Sequence, residues 1–258
     1  MSDVLVLCYH AVSETWPAAL SVTPDEFERQ LSLLHRRGFR GVTVAEALTD
    51  PPAGRVLAVT FDDAYRSVLE LARPILESLG MVASVYVVTG WAERPGPMSW
   101  PGIDQWVGGP HEQELACMGW DELRSLADGG WEVGSHTRSH PRLPELGEAA
   151  LDEELAGSRA DCERAMGRRC DSLAYPYGAV DEPVVEAAER AGYRFGITLP
   201  RMLHAPRPLH WPRVGIYHAD SGWRFRAKVS PAARRARASR AWDALNGARR
   251  RLLAGRSP

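Results

Sequence analysis

Two histidines four residues apart, His136 and His140, are the sequence feature most suggestive of chemistry. The H-x-x-x-H spacing predicts that both imidazoles lie on one side of a helical turn, where they can bind one metal ion. The adjacent carboxylates of Asp62 and Asp63 follow an apolar run at 56–61, and such neighbours repel each other unless a cation lies beside them. One carboxylate with two histidines leaves a coordination position open for water, as in catalytic zinc sites.

Each motif taken alone has a structural alternative. Histidines often titrate or cap helices at the surface without binding a metal. An aspartate after a strand can serve as the N-cap of the next helix, and Asp62 or Asp63 can do so here. The combination of the motifs favours the metal site.

Every polar cluster follows a predicted strand. Asp62 and Asp63 follow the strand at 56–61, His136 follows 131–135, Tyr177 follows 173–175 and His10 follows 4–9. In parallel β/α architectures the carboxyl ends of the strands converge on one mouth, where the loops form the active site. These placements therefore predict that the clusters meet.

Short β-branched runs alternate with helical patterns over the first 200 residues, which predicts a parallel sheet with helical crossovers, either a barrel or a doubly wound sheet. Further strands are predicted at 81–88, 193–199 and 214–218, and helices at 23–38, 64–79, 120–127, 148–166 and 181–191. We expect a single domain at 1–223 followed by a basic helical tail at 224–258. A Trp/Gly/Pro-rich insertion at 91–119 is predicted to be an ordered loop, with a lid as one interpretation.

Three motifs, in this order and at these strand ends, resemble the polysaccharide deacetylase family (carbohydrate esterase family four, the NodB-homology domain). They are Thr60-Phe61-Asp62-Asp63, Ser135-His136-Thr137-x-x-His140 and Tyr175-Pro176-Tyr177-Gly178. The resemblance covers about residues 4–218. It implies a distorted (β/α)7 barrel and the metal-dependent removal of N-acetyl groups from amino sugars.

The resemblance also implies roles for individual residues. The positions that match the metal ligands are Asp63, His136 and His140. Zinc is the first choice of metal, with cobalt or nickel as alternatives. Asp62 matches the general base, and Tyr177, which follows Pro176, matches the residue whose backbone N–H helps to hold the oxyanion.

Two departures from the family pattern concern the catalytic charges. Many members have an arginine before Pro-Tyr-Gly that orients the base, whereas this chain has Leu-Ala-Tyr at 173–175. Arg213 is the predicted substitute, from the last strand. The histidine that protonates the leaving amine is predicted to be His10. In a subgroup of biofilm-polymer deacetylases the motif order looks permuted, and this histidine stands in an N-terminal Tyr-His pair. The Tyr9-His10 pair of this chain resembles that version. The other candidates are His218, His210 and His204.

Composition bounds the remaining possibilities. The chain has 258 residues and is 45% apolar and 25% charged, which excludes disordered, collagenous and coiled-coil classes. Its four cysteines form no C-x-x-C pair, so free thiols are expected. The amino terminus has no basic region, and its apolar run is too short for a signal peptide or a membrane span. We therefore expect a cytoplasmic protein without a nucleic-acid partner.

The tail at 224–258 holds eleven of the 31 basic residues and one acid, so it carries about +10 and the rest of the chain about −12. Trp242, Leu245 and Leu252 form a poor amphipathic stripe. Three interpretations stay open: a solvated helix, peripheral contact with an anionic membrane or another polyanion, and packing across the acidic body.

The sequence thus predicts a metal-dependent hydrolase that deacetylates an N-acetylated sugar of a glycan, glycolipid or glycoconjugate precursor. One alternative is hydrolysis of another C–N bond, such as a formamide or a cyclic ureide, on the same barrel. A second is a non-catalytic carbohydrate-binding or scaffold protein. Retention of all the potential metal ligands argues against the second alternative.

Overall fold

The computed structural model describes residues 3–200 and 206–237. The strands are β1 (Asp3–Tyr9), β2 (Ala11–Val12), β3 (Ser21–Val22), β4 (Phe39–Val42), β5 (Arg55–Phe61), β6 (Ser84–Val87), β7 (Glu132–Ser135), β8 (Ser172–Ala174), β9 (Phe195–Thr198), β10 (Trp211–Pro212) and β11 (Val214–Gly215). The α-helices are α1 (Pro24–Arg36), α2 (Val44–Thr49), α3 (Arg73–Ser78), α4 (Trp120–Asp128), α5 (Glu148–Met166), α6 (Glu182–Arg190), α7 (Gly222–Val229) and α8 (Pro231–Arg237).

The main sheet is a nearly closed parallel barrel with seven strand positions. Strands β1, β5, β6, β7, β8 and β9 pair in that order. The segment 211–215 then closes the ring, because β10 pairs with β9 and β11 pairs with β1. Strand β4 lies beside the first half of β5, whereas β6 pairs with the end of β5. The predicted distorted (β/α)7 barrel is confirmed.

The barrel separates two apolar layers. The inner layer fills the barrel and includes Val6, Ala58, Tyr86 and Ile197. The outer layer packs the helices against the barrel wall. Inside the barrel, Tyr86 fits because β7 has a glycine at position 134, where a Cβ would lie 2.5 Å from the tyrosine ring.

Local signals explain where several helices begin. Thr23 caps α1 by accepting a hydrogen bond from the backbone N–H of Glu26, and Pro24 occupies the first turn, as helix N-termini favour. Asp181 caps α6 in the same way. Helix α5 has the predicted bounds. Strands β4 and β10 and helix α2 had no counterpart in the predicted elements. Strands β6, β7, β9 and β11 are shorter than predicted, whereas β8 has the predicted length and begins one residue earlier.

The predicted helix over 64–79 is wrong at its start, because the helical segment begins at Arg66 and is partly π-helical. Ala64 has a positive φ of 56°, which is incompatible with a helix start. The chain instead enters a π-helical turn at Val68–Ala72 before α3. Pro74 lies in the first turn of α3 and has no N–H for the helical ladder, so it interrupts a continuous α-helix.

The start of the basic tail contributes to the core. In α7, Phe225 and Val229 are buried, while Trp223 is 74% exposed. The predicted stripe of Trp242, Leu245 and Leu252 lies outside the described residues. No helix in the described part of the chain is long and apolar enough to cross a membrane.

Candidate active site

One cavity of about 420 Å³ lies at the carboxyl ends of the barrel strands. Its lining includes the predicted site residues His10, Asp62, Asp63, His136, His140 and Tyr177. These residues follow β1, β5, β7 and β8, so the parallel strands bring together side chains that are far apart in sequence. The predicted convergence of the clusters is present in the structure.

The three residues proposed as metal ligands lie within bonding range of a single ion. His136 Nε2 and His140 Nε2 are each 3.5 Å from Asp63 Oδ1, and all three side chains are buried. Ligand bonds of about 2.0–2.2 Å in a tetrahedral zinc site place neighbouring N and O ligand atoms about 3.3–3.6 Å apart. The spacing of the three side chains therefore matches such a site.

The loops that carry these side chains have unusual backbone conformations. Among the described residues, five non-glycine residues have a positive φ, and all five lie at this site. They are Asp63 (69°), Ala64 (56°), Thr137 (69°), His140 (63°) and Tyr177 (58°). Left-handed backbone of this kind is costly and concentrates at functional sites.

The predicted helical turn at 136–140 is wrong. Thr137 and His140 both have left-handed backbones, and the segment forms no helix. The chain folds back on itself through these two residues, and the two imidazole centroids end up 4.9 Å apart. A loop therefore achieves the juxtaposition that the spacing had suggested for a helix.

Helix α5 holds this loop through one carboxylate. Glu154 Oε2 accepts hydrogen bonds from the backbone N–H groups of Arg138 and Ser139, at 2.8 and 3.0 Å. Inside the loop, the His140 N–H donates to Thr137 Oγ1 at 3.1 Å. Glu154 thus fixes the backbone between the two histidines without contacting either imidazole.

We expect Glu154→Gln to weaken metal binding by about 10- to 100-fold, the range seen when groups that orient ligands are removed. The amide offers one acceptor oxygen and no charge to the two N–H groups. Isothermal titration with Zn²⁺ measures the change. Glu148→Gln, the same substitution at an exposed position of α5, is the control; equal Zn²⁺ affinities in the two variants would contradict the role of Glu154.

Contacts around the imidazoles fix their orientation and their neutral state. His136 Nδ1 donates to the Ala174 carbonyl at 2.7 Å, which leaves Nε2 unprotonated and facing Asp63. The His140 ring lies between the rings of Trp100 and Tyr177, each with a centroid 4.5 Å away. Burial lowers the pKa of His136, and burial together with the nearby His136 lowers the pKa of His140 to about 2.

The chemistry of this donor set fits a divalent metal ion. Asp63 Oδ1 is buried without a hydrogen-bond partner among the described residues. Burial and the neighbouring Asp62 carboxylate raise the pKa of Asp63 well above its usual value. The surrounding protein therefore does not stabilise the negative charge of ionised Asp63, and a bound cation would. Two neutral imidazoles and one carboxylate are suitable zinc ligands.

Asp62 is held by a buried arginine. Arg213 lies between β10 and β11, is fully buried, and donates from its two terminal nitrogens to both Asp62 oxygens at 2.7 Å. The same guanidinium donates to Thr60 Oγ1 at 2.9 Å. Although burial opposes ionisation, Arg213 lowers the pKa of Asp62 well below its usual range. The structure thus places Arg213 where the sequence analysis expected a charge for Asp62.

The histidines considered as the proton donor occupy different places. His10 lies in the cavity, and burial lowers its pKa to about 4. His218 is exposed. His210 lies beside Arg207, with its Nδ1 3.3 Å from the guanidinium. His204 lies outside the described residues.

The loop at 176–178 and the insertion close one side of the cavity. Tyr177 has a left-handed backbone, and its hydroxyl donates to the Pro101 carbonyl at 3.1 Å. Gly178 has no room for a Cβ, which would lie 2.8 Å from the Leu199 nitrogen. The insertion packs against the barrel through Trp100, which is buried.

Several residues at the site had no place in the predicted set, among them Arg142, Tyr217 and Cys8. Arg142 covers the ring of Tyr177 with its guanidinium 4.6 Å from the centroid. Tyr217 contributes to the cavity wall. Cys8 donates from its thiol to Asp62 Oδ2 at 3.4 Å. Only Cys8 carried a sequence signal, because it precedes His10 by two residues on a strand and so shares its side.

Comparison with known proteins supports both the fold and the family. The deacetylase PplD of Streptococcus pyogenes, solved in complex with acetate, superposes with a TM-score of 0.75 at 23% identity over 89% of this chain and 99% of that chain. IcaB of Ammonifex degensii superposes with a TM-score of 0.65 at 25% identity over 83% of this chain and 91% of that chain. At 23% identity, the similarity to PplD is evidence for a shared fold only.

Two bacterial relatives align with about three quarters of this chain. The putative polysaccharide deacetylase YxkH of Bacillus subtilis is 28% identical over 198 residues, which are 75% of this chain and 63% of that protein. The poly-β-1,6-N-acetyl-D-glucosamine N-deacetylase of Staphylococcus aureus is 24% identical over 211 residues, which are 76% of this chain and 68% of that protein. The present chain thus spans less than two thirds of the length of YxkH.

The sequence model of the polysaccharide deacetylase family matches residues 49–196. This range contains both adjacent aspartates, both histidines of the H-x-x-x-H motif and the Pro-Tyr-Gly loop. It covers more than half of the chain and all strands from β5 to β8. The chain therefore belongs to the polysaccharide deacetylase family.

Proposed function

We propose that this protein is a metal-dependent hydrolase that removes the N-acetyl group from an amino sugar of a glycan, glycolipid or glycoconjugate precursor. The observation that carries the proposal is that the cluster of Asp63, His136 and His140 shares one cavity with His10 and Asp62. Behind the cavity wall, Arg213 pairs with the Asp62 carboxylate. The Staphylococcus aureus relative, named for acting on poly-N-acetylglucosamine, supports this substrate class.

Asp63, His136 and His140 would hold the divalent ion, most readily zinc, with cobalt or nickel as alternatives. When bound, such an ion acts as a Lewis acid that makes water a better nucleophile and polarises the acyl oxygen. The buried, neutral imidazoles and the single carboxylate favour an ion that accepts nitrogen and oxygen ligands.

Asp62 is the proposed general base. Its carboxylate is ionised because Arg213 pairs with both oxygens, and the pairing also fixes the plane of the carboxylate. The lone pairs that remain on the two oxygens can accept a proton from an attacking water in the cavity. Arg213 therefore acts as a positioning residue for Asp62.

His10 is the proposed donor of the proton that an amide nitrogen needs in order to leave. Burial keeps the imidazole neutral at rest, so it must gain a proton during the reaction. Donor atoms of His10 and Asp62 lie within 4.8 Å of each other, a separation at which one water molecule can relay a proton from Asp62 to His10. The two residues would thus share one proton over the catalytic cycle.

The loop at 176–178 is the proposed binding element for the acyl oxygen. Tyr177 has a left-handed backbone, and Tyr177 and Gly178 both line the cavity. A backbone N–H that faces a developing oxyanion stabilises it in the transition state. Pro176 restricts the backbone before Tyr177 and so limits the conformations of this loop.

Acetate release from N-acetylglucosamine oligosaccharides tests the proposed activity. We expect acetate and free amine in equal amounts, loss of activity after dialysis against a chelator, and its return with Zn²⁺, Co²⁺ or Ni²⁺. Release of formate from a formamide, or opening of a cyclic ureide, without acetate release would favour the other C–N hydrolase. Oligosaccharide binding without any product would favour a non-catalytic protein.

We expect His10→Gln to lower acetate release from an N-acetyl sugar by about 10²- to 10⁴-fold, the usual contribution of a general acid. Hydrolysis of an activated aryl acetate should remain close to normal, because its leaving group needs no proton. His218→Ala, at an exposed histidine, is the control and should behave like the unaltered protein. Equal losses on both substrates in His10→Gln would show that His10 does not serve as the acid.

A further inference from the structure

We propose that Cys8, His10 and Asp62 form a second metal site that binds a thiophilic divalent ion, such as excess Zn²⁺ or Cd²⁺, and thereby inhibits the enzyme. The inhibitory effect rests on the proposed function, because two of the three residues are the proposed acid and base. The binding itself does not depend on that function.

The position of the three side chains follows from the strands. Cys8 lies in β1 and His10 lies two residues later, just beyond the strand end, so both project to the same side. Asp62 follows β5, the parallel neighbour of β1, and its backbone N–H donates to the Tyr9 carbonyl at 3.1 Å. This pairing places Asp62 beside Tyr9, which lies between Cys8 and His10 in sequence.

The donor atoms have the spacing of metal ligands. Cys8 Sγ lies 3.4 Å from Asp62 Oδ2, and one donor atom from each residue lies within 4.8 Å of the other two. Bonds of about 2.3 Å to sulfur and 2.0–2.2 Å to nitrogen or oxygen place tetrahedral sulfur about 3.5–3.7 Å from a neighbouring nitrogen or oxygen ligand, close to the distance between Cys8 Sγ and Asp62 Oδ2.

An unpartnered nitrogen gives independent support for a ligand at this place. His10 is 9% exposed, and its Nδ1 is buried without a hydrogen-bond partner among the described residues. Buried polar atoms are almost always satisfied in folded proteins, so this nitrogen is available to a ligand. His10 and Asp62 also line the cavity, which gives an ion a route from solvent.

Charge predicts that the second site is the weaker one. Arg213 already holds both Asp62 oxygens, and its positive charge opposes a cation nearby. The thiolate that Cys8 forms when it binds the ion offsets that charge and selects soft ions over hard ones. The second ion should therefore bind after the first, with at least a tenfold higher Kd.

Binding exchanges a proton for the ion and involves no change of oxidation state. The S–H bond of Cys8 breaks, a bond from sulfur to the metal forms, and the proton passes to the buffer. The ion takes the place of the thiol proton that Asp62 Oδ2 accepts in the structure. Once bound, it occupies the lone pairs of Asp62 and His10 that proton transfer requires.

Titration of the full chain with Cd²⁺ tests the site. The unaltered protein should bind two ions per chain, and only the second should produce an ultraviolet sulfur-to-metal charge-transfer band, because Asp63, His136 and His140 contain no sulfur. Cys8→Ser should bind the first ion normally and lose the band. The control Cys117→Ser, at a half-buried cysteine, should keep both ions and the band.

A second variant covers the case in which Cys8→Ser does not fold. His10→Gln retains the thiol and should raise the Kd of the second Cd²⁺ ion at least tenfold. An undiminished band in Cys8→Ser, or a single ion without a band in the unaltered protein, would overturn the proposal.

Activity measurements separate this site from the proposed function. Protein that carries one Zn²⁺ should lose acetate release as further Zn²⁺ or Cd²⁺ is added, and Cys8→Ser should need at least tenfold more metal for the same loss. A second thiolate-bound ion in a protein that releases no acetate would support the site and refute the function. Acetate release with equal inhibition in both proteins would refute the inhibitory site alone.

Discussion

Asp62→Asn is expected to retain one bound metal ion per chain and to lower kcat on an N-acetyl sugar by about 10²- to 10⁴-fold. Asp63→Asn is expected to lose both the metal and the activity. The two carboxylates are adjacent in sequence, yet Asp62 faces Arg213 while Asp63 Oδ1 faces His136 and His140. Metal content after gel filtration, measured together with kcat, distinguishes the base from the ligand.

The two histidines give matched comparisons for this experiment. His136→Ala and His140→Ala should each reduce bound metal as Asp63→Asn does, because each removes one of three ligands. Circular dichroism before the assay establishes that the variants are folded. If Asp62→Asn loses metal as completely as Asp63→Asn, the assignment of separate roles to the two aspartates is incorrect.

Local patterns were sufficient to predict a parallel β/α fold and the convergence of the polar clusters, and the family resemblance then favoured a barrel over a doubly wound sheet. Buried strands that are each followed by polar residues predict that these residues meet at one end of a parallel sheet. His136 directly follows β7 and Asp63 lies two residues after β5, so both lie at that end. The family match and the solved relatives confirm this fold. The individual roles of the site residues remain proposals that the variants above test.

Other features depended on contacts that no local pattern encodes. The closing segment consists of two two-residue strands around Arg213. Only the second of them was predicted, as part of a longer strand at 214–218, because a two-residue strand gives no periodicity signal. The left-handed backbones of Thr137 and His140 are stabilised by Glu154 from a helix that begins eight residues after His140. Sequence spacing correctly brought the two histidines together but attributed their proximity to a helix.

The basic tail is another segment whose contacts could not be predicted from its local sequence. Its charge suggested a separate segment from 224 onwards, but Phe225 and Val229 of α7 are buried. Removing everything after Trp223 would therefore expose apolar core as well as delete charge. A truncation after Arg237 keeps α7 and α8 and is the appropriate variant for testing the role of the remaining tail.

Arg213→Met is expected to lower the free energy of unfolding by about 3–5 kcal/mol, because it leaves the buried Asp62 carboxylate without its partner. Asp62→Asn should have a similar cost through the unpaired guanidinium. The double variant should lose clearly less than the sum of the two, since neither buried charge then remains. Urea unfolding of the metal-free protein measures all three values.

The ion pair of Arg207 with Glu182 provides the matched control for this cycle. It has the same two-bond geometry, with both contacts at 3.0 Å, but both side chains are at least half exposed. Water already solvates these charges, so Arg207→Met and Glu182→Gln should change stability far less than the buried pair. Additive losses for Arg213→Met and Asp62→Asn would mean that the two residues do not stabilise each other, and Arg213 would then lose its assigned role as the partner that fixes Asp62.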